Sequence, residues 1–163
     1  MIFVTVGVQL PFDRLISTVD DWAGSRGRSD VVAQIGASKL VPKNIKYQST
    51  MSPSEFRQHV VAAKAVVGHA GMGSIITALE LGKPILVMPR RAAFGEHRND
   101  HQLSTSRHMK AQGIATVVDD EAALKEGLDS IEGLVRSQEI SAYANAQLLN
   151  RISTFIADVS GRI

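Results

Sequence analysis

Apolar positions along this chain follow two alternating rhythms. Continuous apolar runs rich in β-branched residues recur at 2–6, 31–35, 45–48, 65–67, 85–88 and 114–118, and predict buried strands. Gly7, Gly36 and Pro89 stand directly after the first, second and fifth runs and close them. Between the runs the spacing changes. Residues 13–22 carry Leu15, Ile16, Val19 and Trp22 at helical intervals. Ser52-Pro53-Ser54-Glu55 has the order of a helix entry, with a serine N-cap, proline at the first helical position and a glutamate completing a capping box. That helix should reach about residue 63. Another runs from about Ser74 to the stop signal Gly82-Lys83-Pro84. A further one covers 99–112, with Asn99 or Asp100 as its cap and Gly113 as its terminator. Two more are expected over about 120–134 and 137–159.

Strands that are continuous apolar runs, separated by amphipathic helices, imply an α/β fold: a parallel sheet with helices on both faces. Ligands of such sheets bind beyond the carboxyl ends of the strands, where the strand order reverses. Three polar stretches converge on that edge: the loop after Gly7, the corner at 68–74 and the loop at 89–102. The 163 residues suit one domain with C-terminal helices from about 120, and 44% hydrophobic with 21% charged residues is ordinary for a globular chain. A net charge of +2 is too small to argue for nucleic acid. The absence of cysteine excludes disulfides and thiolate metal sites and fits a cytoplasmic location. Met1-Ile2-Phe3-Val4-Thr5-Val6-Gly7 lacks the basic start of a signal peptide. The last helix carries an apolar stripe (Ile140, Tyr143, Ala144, Leu148, Ile152, Phe155, Ile156, Val159) whose default partner is its own sheet, with a second protein or, less favoured because the segment is not notably basic, the membrane surface as alternatives.

The chemistry concentrates at Gly68-His69-Ala70-Gly71-Met72-Gly73-Ser74. Strand, glycine corner and helix start together aim unpaired backbone N–H groups and a helix dipole at an anion. The corner is read as the cradle of a nucleotide diphosphate. Sharper motifs fail at single positions. A P-loop needs lysine where Ser74 follows Gly73, a dinucleotide fingerprint needs glycine at Ile76, and a nucleophile elbow around Ser74 needs glycines at Met72 and Ile76. Ser74 therefore reads as a phosphate hydrogen-bonder. His69 either donates to a phosphate or is a half-buried histidine satisfied by a carbonyl. The cluster Glu96-His97-Arg98-Asn99-Asp100-His101-Gln102 lacks the glutamate that a zinc-binding histidine pair requires, so no metal is expected. Its residues read either as a solvated helix start or as fixed donors and acceptors for ligand hydroxyls. Arg90 and Arg91 fit a phosphate or open solvent equally.

Taken together, Val66-Val67-Gly68-His69-Ala70-Gly71-Met72-Gly73-Ser74-Ile75, Leu81-Gly82-Lys83-Pro84, Val87-Met88-Pro89 and His101-Gln102 resemble the C-terminal domain of family 28 glycosyltransferases. Val4-Thr5-Val6-Gly7, with Phe12, Asp13 and Leu15 behind it, resembles the start of the single-domain members, which serve as one subunit of two-subunit enzymes. The resemblance implies a Rossmann-like domain, one half of a GT-B fold, that binds a UDP-sugar as substrate and needs no cofactor. It further implies that His69, Gly71, Gly73 and Ser74, with Met72 between them, line the diphosphate. His101 and Gln102 would face the donor sugar, and Gly7 and Gln9 would edge the cleft. Thr77 stands where relatives carry a ribose-binding glutamate. The activity implied is inverting hexosyl transfer in polysaccharide or glycolipid synthesis. The catalytic base and acceptor site are then expected from a membrane-anchored partner subunit that recruits this chain to the inner face of the membrane. Homodimer formation, and a role as a non-catalytic nucleotide-sugar-binding regulatory subunit, stay open as alternatives.

Overall fold

A computed structural model of the chain describes residues 1–134; the apolar stripe of the last expected helix lies outside the described residues. Six strands form one sheet: β1 (Ile2–Thr5), β2 (Val31–Gln34), β3 (Lys46–Gln48), β4 (Ala65–His69), β5 (Ile85–Met88) and β6 (Thr116–Val117). Their order is β3-β2-β1-β4-β5-β6 and every described pairing is parallel. The chain therefore winds outward from β1 in one direction, returns, and winds outward from β4 in the other. The switch point lies between β1 and β4, where Thr5 stands beside Gly68 in register.

Side chains alternate across each strand, so successive residues of the central strands feed two separate cores. Ile2, Val4 and Val6 join Val67, Leu86 and Met88 under α1 (Asp13–Ser25) and α5 (Glu121–Asp129), whose Leu15, Ile16, Val19, Leu124 and Leu128 complete one core. Phe3, Val66, Ile85 and Val87 face the other way. They pack against Val60 of α2 (Pro53–Ala62), Ile75, Ala78 and Leu79 of α3 (Met72–Glu80) and Met109 of α4 (His101–Ala111). Helices thus cover both faces, which is why the central strands read as unbroken apolar runs.

Local signals placed most elements. The Ser52–Glu55 capping box closes as its residue types predict: Ser52 N–H donates to Glu55 Oε2 at 2.8 Å, and Glu55 N–H donates to Ser52 Oγ at 3.2 Å. Other ends move. The helix expected over 120–134 stops at Asp129 and gives way to a 3-10 turn, Ile131–Gly133, and the strand expected over 114–118 shrinks to two paired residues. α3 begins two residues earlier than expected, at Met72, with Gly71 as its N-cap. α4 begins at His101. Its N-cap Asp100 does not cap it, because Oδ1 instead accepts the Ala92 N–H at 2.8 Å across the loop. Asn99 accepts the His101 N–H at 3.4 Å.

Candidate functional site

A pocket of about 410 Å³ opens at the switch point, beyond the carboxyl ends of β1 and β4. Its walls are the loop after β1 (Val6 to Leu10), the β4–α3 corner, and the loop from β5 into α4. Nine sequence-derived candidates line it: Gly7, Gln9, His69, Gly71, Met72, Gly73, Ser74, His101 and Gln102. Thr77 does not. It lies one turn further along α3, where its Oγ1 donates to the Gly73 carbonyl at 2.9 Å.

The corner works differently at each glycine. Gly7, at φ +72°, occupies the left-handed region that favours glycine, and a Cβ there would sit 2.8 Å from His69 Cε1. A Cβ on Gly71 would come within 2.0 Å of His69 Nε2. These two glycines accommodate the imidazole ring, which is wedged between them. A Cβ on Gly73 would meet nothing within 4 Å, so packing places no demand on that position and its bare backbone borders the pocket. The first intrahelical bond of α3 is Ile75 N–H to Gly71 C=O at 3.3 Å. The N–H groups of Met72, Gly73 and Ser74 precede it and are the helix's free donors. Ser74 is buried at the third helical position and lines the pocket.

His69 is neutral. Burial first, then the positive charge of Arg90, pushes its pKa down to about 4. Its Nδ1 is buried without a hydrogen-bond partner among the described residues, as is Nδ1 of His97. His97 also lines the pocket and meets His101 edge to face, with ring centroids 4.5 Å apart. Gln102 is 4% exposed and its Oε1 accepts the Arg90 N–H at 3.1 Å, which leaves the NH2 end of the amide for the pocket.

The acidic members of the polar cluster serve the scaffold instead of a ligand. Glu96 forms a fork with Arg14, Nε to Oε1 at 2.6 Å and Nη2 to Oε2 at 2.9 Å, and also accepts the Arg91 N–H at 2.8 Å. With Asp100 on Ala92, no carboxylate remains in the lining. Among the described residues no group of three histidine or acidic side chains could hold a metal ion. The two arginines diverge. Arg90 turns into the pocket floor at 2% exposure, and Arg91 turns away, its guanidinium donating to the Asp119 carbonyl. Burial of Arg90 was not legible in the sequence, and His97 was legible only as one member of the polar cluster. Position directly after a strand's carboxyl end was the one signal available for Arg90.

The strand order and the switch-point pocket define a Rossmann-like domain of the kind that forms half of a GT-B glycosyltransferase. A profile for the glycosyltransferase family 28 C-terminal domain matches residues 1–152, and the chain belongs to that family. It is 30% identical over 122 residues to the UDP-N-acetylglucosamine transferase subunit ALG13 of Homo sapiens, and 31% identical over 121 residues to that of Mus musculus. Those alignments cover 69% and 68% of this chain but 10% of each relative, so the chain spans about a tenth of the curated relatives' length. A solution structure of ALG13 matches with a TM-score of 0.62 at 18% identity, covering 93% of both chains. Os79 from O. sativa, solved with U2F and trichothecene, matches at 0.58 and 14% identity over 80% of this chain and 32% of its own. These structures establish the fold. No described helix is long and apolar enough to cross a membrane.

Proposed function

We propose that this chain is the donor-binding subunit of a UDP-sugar-dependent, inverting hexosyltransferase acting in polysaccharide or glycolipid synthesis. The observation that carries this reading is the pocket itself. Three free N–H groups at the start of α3, the bare backbone at Gly73, the Ser74 hydroxyl and the buried Arg90 border one pocket of about 410 Å³. Family membership and the ALG13 relatives supply the ligand class. Diphosphate charge develops as the anomeric carbon–oxygen bond breaks and the acceptor oxygen bonds to that carbon. Donors fixed in place stabilise this charge without reorganising. The acceptor's proton goes to a base outside this chain. A membrane-anchored partner subunit supplies that base and the acceptor site, and it holds the chain at the inner face of the membrane. His101 and the Gln102 NH2 face the sugar. No cofactor takes part.

Titration calorimetry with UDP is the direct test. The wild type should bind, and Ser74→Trp, which places an indole in the cradle, should weaken binding by tenfold or more, about 1.4 kcal/mol. Absence of heat with the wild type, or unchanged affinity for Ser74→Trp, removes the cradle assignment. Label transfer from UDP-sugars onto membranes holding the partner should then require this chain. A complex that binds UDP yet transfers no sugar identifies a regulatory subunit instead.

A further inference from the structure

Arg90 is a buried cation whose guanidinium serves four backbone carbonyls from two stretches of chain. Nη1 donates to Pro11 O at 2.6 Å and Glu96 O at 3.2 Å; Nη2 donates to Val6 O at 2.7 Å and Leu10 O at 2.6 Å. Its carbon Cζ lies 4.9 Å from the Phe12 ring centroid. A guanidinium has five N–H donors, and the terminal nitrogens carry four of them. The two-pronged end that clamps phosphates elsewhere is therefore engaged by the protein's own backbone. The neighbouring Glu96 carboxylate forms no ion pair with it, being held in the fork with Arg14, and acts on Arg90 only through space.

We infer that Arg90 is the positioning residue of the donor pocket. It ties the loop after β1 to the loop entering α4, and through its own N–H it fixes the Gln102 amide. Its charge lies under the space where a nucleoside diphosphate would sit. The inference rests on the diphosphate reading for its ligand, but the tie itself exists in the free protein. A lysine at this position keeps the charge and presents one nitrogen, so it cannot reach carbonyls on both sides of the pocket. The fork is what the geometry uses.

The test compares Arg90→Lys and Arg90→Met with wild type and with Arg91→Met, whose guanidinium lies outside the pocket. In free protein, both Arg90 variants should shift the amide resonances of Gly7, Val8, Gln9, Leu10 and Gln102, and Arg91→Met should leave those of Gly7 to Leu10 in place. Arg90→Met should also raise the His69 pKa above its value of about 4, because a nearby positive charge is removed. UDP affinity should fall about tenfold in Arg90→Lys and further in Arg90→Met, with only the latter losing salt dependence. Unmoved loop resonances in Arg90→Lys, or UDP affinity within twofold of wild type, overturn the inference. If wild type binds no UDP yet the loop resonances still move, the tie stands and the diphosphate reading falls. Should Arg90→Met fail to fold, the lysine variant decides alone.

Discussion

His69 and its two flanking glycines show how a single contact sets what a residue is for. The sequence suggests that glycine at 71 lets a ligand approach the backbone. The structure assigns that space to an imidazole, since a Cβ on Gly71 would lie 2.0 Å from Nε2. Gly71→Ala should therefore destabilise the fold by about 1–3 kcal/mol through overpacking, with backbone φ at −96° posing no obstacle. His69→Ala removes the obstacle, so the double variant should recover most of that loss in urea denaturation. A Gly71→Ala cost that persists unchanged in the His69→Ala background would show that the ring is not its cause. Residue types in the corner were legible because unusual chemistry stands out in one dimension. Their tertiary partners were not: nothing in the order of residues says that Glu96 belongs to Arg14, 82 positions away, or that Arg90 reaches Val6.

At the level of elements, the legible features are those whose signal lies within one turn. Serine, proline and glutamate at 52, 53 and 55 make a capping box whose bonds all fall within four residues. The start of α3 was misplaced for the complementary reason. Ser74 looks like a cap, but the helix is entered through Gly71, an extended residue with no room for a Cβ beside the His69 ring. Asp100 looks like the cap of α4, and the loop's need to satisfy the Ala92 N–H takes its carboxylate elsewhere. The early start of α3 gives Gly73 a distinct character, at the second helical position and free of packing demands. Gly73→Ala should keep or raise thermal stability by up to about 1 kcal/mol, since alanine suits a helix better than glycine. The same methyl group should weaken UDP binding by calorimetry. Intact UDP affinity in Gly73→Ala would place the diphosphate elsewhere than on the α3 N-terminus.

For the whole molecule, strand count and class followed from the apolar runs, but the order β3-β2-β1-β4-β5-β6 is a property of chain reversal that no local run encodes. That order puts the pocket on β1 and β4, the two strands at the centre of the sheet, which also carry Val4 and Val67 into the core under α1 and α5. A ligand held there grips strands that only global unfolding separates. The chain's single tryptophan, Trp22, sits at the far side of that core, 3% exposed, with its Nε1 donating to Asp129 of α5 at 2.8 Å. It does not line the pocket itself, and it reports unfolding of the core that reaches the pocket through Val6. UDP at about 100 times its Kd should therefore raise the unfolding free energy read from Trp22 fluorescence by about 2.7 kcal/mol, the full linkage value. A loop that opened independently of the sheet would let UDP escape first, and the shift at Trp22 would fall well short. A shift near zero, with UDP binding still present by calorimetry, would mean that the pocket and the central strands do not unfold as one unit.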